Sequence, residues 1–285
     1  MKQPIIDQPE LPPFISPVEL AKTESQLYQW AAGRTNLLPQ VYALSPGGLI
    51  VMRAYENSGL FDQVHGLAKH VGISLCRALG SLHRELGTLT GSPSPSRFHE
   101  TDTWARIYAS ASVTHWPRFR DSFVQSGDAS SPWARWNQDM IPDLLTRIKD
   151  WSCSRHSTVC SMDMRSDNVM GKLESPVFID WQFGAYAPGG FDLATLVSTS
   201  MDVDENEVSA LVREYSDGYG EDPSACHEDF VVGLLVRTLF AIPIVTGLPH
   251  PTFAAKAARS AAMVRLSRLL VTFQEEAFAA IGYAG

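Results

Sequence analysis

The sequence predicts an α+β protein in which a small N-terminal helix-and-sheet unit is followed by a mostly helical body. Near the N-terminus, a capped helix pattern precedes two β-prone runs that flank a Ser-Pro-Gly-Gly turn. Over most of the remaining chain, apolar residues recur at spacings of three and four, as in helices with one buried face. Short apolar runs separated by polar loops interrupt this pattern in the middle of the chain and predict short strands.

Composition excludes several classes of protein. The 285 residues are 45% apolar and 19% charged, which predicts a folded core and not a disordered chain. A formal charge of -8 without a long basic run argues against nucleic acid or an anionic membrane as the main partner. The most apolar stretch, 230–245, is interrupted by Arg237 and Pro243 and predicts a buried helix. A small ligand or another protein remains as the partner.

The expected cellular compartment is the cytoplasm. The first 13 residues contain four prolines and two acids but no apolar run like the core of a signal peptide. Four cysteines without a C-x-x-C pair predict free thiols in a reducing environment, and argue against a disulfide or zinc scaffold.

The N-terminal elements have clear boundary signals. A capping box that begins at Ser16 and a stop signal at Gly33 predict a helix over 17–32. The β-prone runs 41–44 and 49–55 predict a hairpin around the intervening turn. Further along the chain, helices are predicted over 61–86, within 133–151 with Pro142 near a helix start, beyond 190, and over 252–281, and strands at 158–160, 169–170 and 177–179.

The pair Asp163 and Asn168 has the D-x-x-x-x-N spacing of kinase catalytic loops. If 169–170 and 177–179 form a hairpin, Asn168 and Asp180 face each other across its open end, where directly opposed Cβ atoms lie about 5 Å apart. A carboxylate and an amide oxygen so placed can share one Mg²⁺ ion with nucleotide phosphates. Asp163 would then orient or deprotonate an attacking hydroxyl. Alternatively, these acids and Asn168 are ordinary turn and surface residues.

Three segments together resemble a known family. They are Ser161-Met-Asp-Met-Arg-Ser-Asp-Asn-Val-Met170, Val177-Phe-Ile-Asp-Trp-Gln182 and Gly190-Phe-Asp-Leu-Ala194. This combination resembles the aminoglycoside-phosphotransferase-like small-molecule kinases, and the Asp-Trp-Gln form is similar to their ecdysteroid-kinase-like and choline-kinase-like branch. The resemblance covers about residues 24–219. It implies a protein-kinase-like two-lobe fold with a reduced N-terminal lobe and a mostly helical C-terminal lobe.

The resemblance also implies a domain division and a role for individual residues. Residues 1–56 would be a partial N-terminal lobe with a hinge near 53–57, and residues 57–285 a helical C-terminal lobe with a catalytic loop at 161–170 and a metal-binding segment at 177–184. The implied roles are catalysis for Asp163, metal binding for Asn168 and Asp180, adenine contact at the hinge for Arg53, Ala54 and Tyr55, and support of the site for Asp192 and Arg165.

Two features depart from the family pattern. The family usually has His-Gly immediately before the catalytic Asp, where this chain has Ser161 and Met162. Glu24 interrupts the apolar stripe of the first predicted helix, where kinase-like folds pair a Glu with a Lys that holds nucleotide phosphates. Lys2 is the candidate partner, although Glu24 could instead reach solvent and Lys2 could be a mobile terminal residue. The first two strands of the family and their Gly-rich loop are not found before Lys2.

These features predict an enzyme, a phosphotransferase that uses ATP and Mg²⁺ to phosphorylate a hydroxyl group of a small molecule. Two other hypotheses stay open. The first is a weak or inactive kinase-fold protein that binds a nucleotide, a metabolite or a protein partner. The second is a metal-dependent hydrolase that cleaves phosphoesters without nucleotide. The residues specify neither the acceptor nor the oligomeric state.

Overall fold

A computed structural model describes residues 17–45, 49–55, 66–88, 102–124, 131–247 and 253–283. The helices are α1 (Pro17–Ala31), α2 (Lys69–Gly87), α3 (Asp102–Phe123), α4 (Met140–Ser152), α5 (Gly190–Ser200), α6 (Glu205–Tyr219), α7 (Pro223–Gly247) and α8 (Phe253–Ala280). The strands are β1 (Val41–Leu44), β2 (Ile50–Met52), β3 (Thr158–Cys160), β4 (Val169–Lys172), β5 (Ser175–Phe178) and β6 (Ala185–Ala187).

The N-terminal unit consists of α1 and the antiparallel pair β1–β2, in which Leu44 lies opposite Ile50. The predicted helix and hairpin are therefore confirmed, while Ser16 and the turn residues 46–48 lie outside the described residues. After α1, Gly33 has φ +71°, a left-handed conformation that glycine adopts without strain, and it stops the helix as predicted. The proposed boundary near residue 56 between two lobes stays a prediction.

Helix α2 begins at Lys69, so the predicted start near residue 61 is wrong for the described residues that precede it. Gly66 has φ +79° and Ala68 is extended, while the Leu67 N–H donates to the Ser200 carbonyl and ties this segment to α5. Helix α2 packs closely against α6. A Cβ at Gly80 would lie 2.2 Å from the Tyr215 carbonyl oxygen, so the contact requires glycine.

The helical pattern predicted within 133–151 corresponds to α4, which starts only at Met140. Residues 133–139 form turns instead, with the Trp136 N–H donating to the Trp133 carbonyl. The Asn137 side chain then accepts from the Met140 N–H and satisfies a donor at the helix start. Pro142 lies in the first turn of α4, where the missing N–H of proline costs little, as predicted.

The C-terminal body is built around α5 and α7. Every residue of α5 is buried, and α7 packs against α3, α5 and α8. Residues Pro223–Thr246 of α7 are long and apolar enough to cross a bilayer, but 83% of the most apolar window is buried inside the protein. This helix is therefore a core element, which agrees with the buried helix predicted over 230–245.

Two short antiparallel sheets lie in the middle of the chain and carry the candidate loop. Strand β3 pairs with β6, and β4 pairs with β5 as a hairpin with Val169 opposite Phe178. The three predicted strands are confirmed. Residues 161–168 connect the two sheets, and the connection ends in a 3₁₀ turn over Ser166–Asn168.

Candidate active site

The spacing between Asp163 and Asn168 closes a compact loop between β3 and β4. The Asn168 Nδ2 donates to the backbone oxygen of Asp163 over 2.8 Å, and the Asn168 N–H donates to the Arg165 carbonyl over 2.9 Å. The second bond belongs to the 3₁₀ turn. The five-residue spacing thus places the Asn168 side chain and the Asp163 backbone within one hydrogen-bonded unit.

A fully buried carboxylate holds the start of this loop. The Asp192 Oδ2 accepts from the Ser161 N–H over 2.6 Å, and its Oδ1 accepts from the Met162 N–H over 2.8 Å. The same carboxylate lies 3.3 Å from the His83 Nε2, and the other ring nitrogen of His83 bonds the Tyr215 hydroxyl over 2.7 Å. Helices α2, α5 and α6 are thereby joined to the loop through buried polar contacts.

The two positions that depart from the family pattern keep the loop conformation in another way. Met162 has φ +63° and is buried, so a side chain occupies a left-handed conformation that glycine would adopt without strain. Such strain costs of order 1–3 kcal/mol and persists only where surrounding contacts impose it. The hydrogen bonds that the Ser161 and Met162 N–H groups donate to Asp192 do so, and the Ser161 hydroxyl adds one by accepting from the Asp163 N–H over 3.1 Å.

Asp163 lies between two guanidinium groups. Its Oδ2 is 3.3 Å from the Arg165 Nε, and its Oδ1 is 3.8 Å from the Arg237 Nη1. Burial raises the pKa of Asp163, an effect that Arg165 and Arg237 oppose and that the nearby Asp180 and Asp167 reinforce. Asp163 in turn raises the pKa of Arg165. The carboxylate is thus desolvated but accompanied by positive charge on both sides.

Arg237 was missed as a site residue by sequence reasoning. Its signal was a single cation inside the most apolar stretch of the chain, since a charge on a buried helix needs a partner. The side chain is only 10% exposed and reaches the candidate loop from α7. Arg165, which was predicted to support the site, contacts Asp163 and also lies 3.4 Å from the Asp167 carboxylate.

The expectation that Asn168 and Asp180 lie directly opposite each other is wrong. The Ile179 N–H donates to the Asn168 carbonyl over 2.9 Å, so Ile179 takes the opposed position and Asp180 is the next residue. The reason is the register of the hairpin: Val169 pairs with Phe178, which leaves Asn168 level with Ile179. Asp180 has φ +65°, a strained conformation of the kind that collects at functional sites, and is close enough to Asp163 to raise its pKa.

The donor set near the hairpin fits a hard divalent cation. Because the Asn168 Nδ2 donates to the Asp163 backbone, the amide oxygen is the atom through which Asn168 would bind a metal. Asp180 follows Ile179, whose N–H donates to the Asn168 carbonyl, and supplies a carboxylate at this end of the hairpin. Amide and carboxylate oxygens are ligands that suit Mg²⁺.

Glu24 is buried and links α1 to the segment that carries Asp180. Its Oε1 accepts from the Tyr28 hydroxyl over 3.1 Å and from the Trp181 N–H over 3.2 Å. The alternative in which Glu24 reaches solvent is wrong, since the residue is 1% exposed. Burial and the neighbouring Glu24 raise the pKa of Tyr28 well above its ordinary range. Lys2, the predicted partner of Glu24, lies outside the described residues.

A cavity of about 1000 Å³ has Tyr28, the hydrogen-bond partner of Glu24, in its wall. It is bounded by the end of α1, the start of β1, the end of β2 and the β4–β5 hairpin. The predicted hinge residues Arg53, Ala54 and Tyr55 form part of its wall. The Tyr55 hydroxyl accepts from the Gln40 N–H over 2.8 Å, and this bond fixes the hinge side of the cavity.

A second group of potential metal ligands occurs among the described residues. Ligand atoms of His83, Cys160 and Asp192 lie within 4.8 Å of one another, and all three side chains are buried. Burial raises the pKa of the Cys160 thiol, which lies 3.5 Å from the Ala187 carbonyl, and Asp192 is engaged with the loop backbone. A thiol with a raised pKa stays protonated and is a poor metal ligand, so we interpret this group as buried packing beside the loop.

Comparison with known proteins identifies the family. A family model described as the phosphotransferase enzyme family (APH) matches residues 10–228. No curated protein matches the chain. Among solved structures, a choline/ethanolamine kinase family protein from Mesorhizobium loti has 16% identity and a TM-score of 0.56, with 94% of this chain and 84% of that chain covered.

Two further structures are similar in fold. The choline kinase LicA from Streptococcus pneumoniae has 12% identity and a TM-score of 0.52, covering 86% of this chain and 80% of that one. LicA in complex with AMP has 14% identity and a TM-score of 0.51, covering 87% and 79%. The predicted protein-kinase-like fold with a mostly helical C-terminal part is confirmed, and the match over 10–228 shows that the chain belongs to the phosphotransferase enzyme family.

Proposed function

We propose that the protein is a cytoplasmic phosphotransferase that moves the γ-phosphoryl group of ATP, with Mg²⁺, to a hydroxyl group of a small molecule. The observation that carries the proposal is the closed loop in which the Asn168 amide donates to the Asp163 backbone while Asp192 holds the preceding residues. Phosphoryl transfer depends mainly on positioning and charge neutralisation, so a rigid loop of this composition suits it.

Asp163 would accept a hydrogen bond from the acceptor hydroxyl and orient it for attack. It must be ionised to do so, and Arg165 and Arg237 favour ionisation against the cost of burial. Proton uptake by a carboxylate with a raised pKa is also easier at neutral pH than by an ordinary one. The hydrogen bonds that the Ser161 and Met162 N–H groups donate to Asp192 hold the backbone that precedes Asp163.

Asn168 and Asp180 would hold Mg²⁺, which supplies charge neutralisation for the nucleotide phosphates when bound. Glu24 contributes by bonding the Trp181 N–H and so fixes the residue that follows Asp180. The cavity beside Arg53, Ala54 and Tyr55 provides room for a nucleotide. A structure of similar fold is known in complex with AMP, which supports a nucleotide as the ligand.

The proposal is tested by incubating the protein with ATP and a library of alcohols, with and without Mg²⁺. We expect transfer of the γ-phosphoryl group only when both Mg²⁺ and an acceptor are present. The rate of transfer should fall about 10²-fold or more in Asp180→Asn, because transition-state charge is no longer neutralised. Asp202→Asn is the matched control, since Asp202 is an exposed acid paired with Arg268 on the surface.

Two results would contradict the proposal. Phosphoester hydrolysis that requires metal but no nucleotide would favour the hydrolase. Absence of both turnover and thermal stabilisation by millimolar Mg-ATP would favour a protein that binds another partner, because a ligand that binds the folded state raises its unfolding temperature.

A further inference from the structure

The hydroxyl of Tyr215 lies at the far end of a buried series of polar side chains that leads to the candidate loop. Tyr215 belongs to α6, and its hydroxyl oxygen is 2.7 Å from the Nδ1 of His83 on α2. The Nε2 of His83 is 3.3 Å from the Asp192 Oδ2, and Asp192 accepts from the loop N–H groups. All three side chains are fully buried. The Tyr215–His83–Asp192 series thus connects α6 to the backbone that precedes Asp163.

The contacts of His83 determine which ring nitrogen carries a proton. Both oxygens of the Asp192 carboxylate act as acceptors, so the His83 Nε2 that faces them has to be protonated. Burial raises the pKa of Tyr215 well above its ordinary range, and the hydroxyl therefore keeps its proton at neutral pH. Within the described part of the chain, this hydroxyl has no hydrogen-bond partner other than the His83 Nδ1. Because a buried hydroxyl needs an acceptor, Tyr215 donates to Nδ1 and His83 is neutral.

The surrounding elements hold the Tyr215 and His83 rings in place. A Cβ at Gly189, the residue before α5, would lie 2.1 Å from the Tyr215 hydroxyl oxygen and 3.0 Å from the His83 Nδ1, so the start of α5 closes over this hydrogen bond. The two rings also meet edge to face, with centroids 5.7 Å apart. The His83 carbonyl accepts from the Thr158 hydroxyl over 2.6 Å, which fixes its backbone. With the ring so enclosed, the position of its proton is the property that the Tyr215 hydroxyl determines.

Removal of the Tyr215 hydroxyl would allow the other tautomer of His83. A neutral imidazole carries its proton on either nitrogen, and in the other tautomer the Nε2 lone pair would face the Asp192 carboxylate without a proton between them. That contact is repulsive, and Asp192 would shift while still accepting from the Ser161 and Met162 N–H groups. The backbone that precedes Asp163 would then move with the carboxylate. A displacement of about 1 Å at a reacting group can cost 10²-fold in rate.

Resting on the proposed function, we propose that Tyr215 is a positioning residue for phosphoryl transfer. It holds His83 in the tautomer with the proton on Nε2, and His83 in turn orients Asp192 and the loop that carries Asp163. Tyr215 does not line the cavity proposed for the nucleotide, so it acts on the reaction only through this series. Its hydroxyl should therefore affect kcat and not the binding of ATP, whereas a role limited to stability would leave the kcat of the folded protein unchanged.

Tyr215→Phe removes the hydroxyl and keeps the ring. We expect kcat for phosphoryl transfer to fall about 10-fold, while KM for ATP stays within about twofold of the wild-type value. The matched control is Tyr219→Phe, one turn further along α6. The Tyr219 hydroxyl also lies near a histidine, 3.4 Å from the His156 Nδ1, but that histidine has no part in the series that reaches Asp192. The control should keep kcat within about twofold of wild type.

Two further measurements test whether Tyr215 acts through His83. In a His83→Gln background, Tyr215→Phe should change kcat by less than about twofold, because the residue through which it acts is gone. Two-bond proton–nitrogen NMR correlation spectra of protein with isotopically labelled histidine report the tautomer without any turnover, and His83→Gln assigns the signals. The wild type should carry the His83 proton on Nε2, and Tyr215→Phe should shift both ring-nitrogen signals toward an average of the two tautomers. The wild-type spectrum tests the tautomer even if the variant does not fold.

The outcomes distinguish the two proposals. An unchanged kcat in folded Tyr215→Phe, an equal loss of kcat in Tyr219→Phe, or a wild-type His83 with its proton on Nδ1 would overturn the positioning role and leave the phosphotransferase proposal standing. A loss of kcat that persists in the His83→Gln background would do the same. Absence of phosphoryl transfer to every acceptor, together with no stabilisation by Mg-ATP, would overturn the phosphotransferase proposal and the positioning role with it.

Discussion

Replacing Asp163 by Asn is expected to lower kcat for phosphoryl transfer by about 10²–10⁴-fold, the usual contribution of a positioned general base. Asn keeps the size of the side chain but cannot take a proton from the acceptor hydroxyl. Stabilisation by Mg-ATP should persist, because the proposed metal ligands Asn168 and Asp180 are untouched. Initial rates and thermal shifts on the same preparations measure the two effects separately.

The matched control is Asp167→Asn on the same loop. This carboxylate is about half exposed and is paired with Arg165, so its loss should change kcat little. An unchanged kcat in Asp163→Asn would show that Asp163 has no role in the reaction.

The free energy of unfolding of Asp163→Asn should not fall together with its kcat. Because burial raises the folded-state pKa of Asp163, the stability associated with its protonated form is present at low pH and is lost as pH rises through that pKa. At neutral pH the ionised group therefore costs stability. Asp163→Asn should be at least as stable as the wild type at pH 7, as is common when a desolvated functional group is removed.

Replacing Asp192 by Ala is expected to lower the free energy of unfolding by about 3–5 kcal/mol, the largest stability effect we expect of a single side chain. The substitution leaves the buried N–H groups of Ser161 and Met162 without their acceptor and removes the partner of His83. It also releases the constraint on the strained Met162 backbone. Urea unfolding with a two-state fit measures the change.

Asp192→Asn keeps one acceptor oxygen and serves as the second variant if the Ala protein does not fold. We expect the free energy of unfolding of Asp192→Asn to be about 1–3 kcal/mol lower than that of the wild type, since one N–H group remains unsatisfied. Asp202→Ala, at an exposed position, should stay within about 0.5 kcal/mol of the wild type. A similarly small change in Asp192→Ala would mean that Asp192 does not hold the loop.

The sequence was sufficient for features set by local chemistry. The helix stop at Gly33, which has φ +71°, and the strands on either side of the Asp163–Asn168 segment were predicted from local sequence. Both depend on contacts between residues close in the chain, where spacing determines geometry.

Contacts between residues that are far apart in the chain could not be predicted from residue spacing. Arg237 meets Asp163 because of how α7 packs in the helical body, which periodicity along α7 does not reveal. The start of α2 depends on a backbone bond from Leu67 to Ser200, a residue far along the chain. The position of Asp180 relative to Asn168 depends on the register of the β4–β5 pair, where a shift of one residue changes which side chains are opposed.

The most direct test of the proposed site is a crystal structure of the protein with Mg²⁺ and a non-hydrolysable ATP analogue. We expect a Mg²⁺ ion bound by the Asn168 amide oxygen and the Asp180 carboxylate at about 2.0–2.1 Å, with the γ-phosphate toward Asp163 and the adenine beside Arg53, Ala54 and Tyr55. A nucleotide bound elsewhere, or a metal that contacts neither Asn168 nor Asp180, would contradict the assignment.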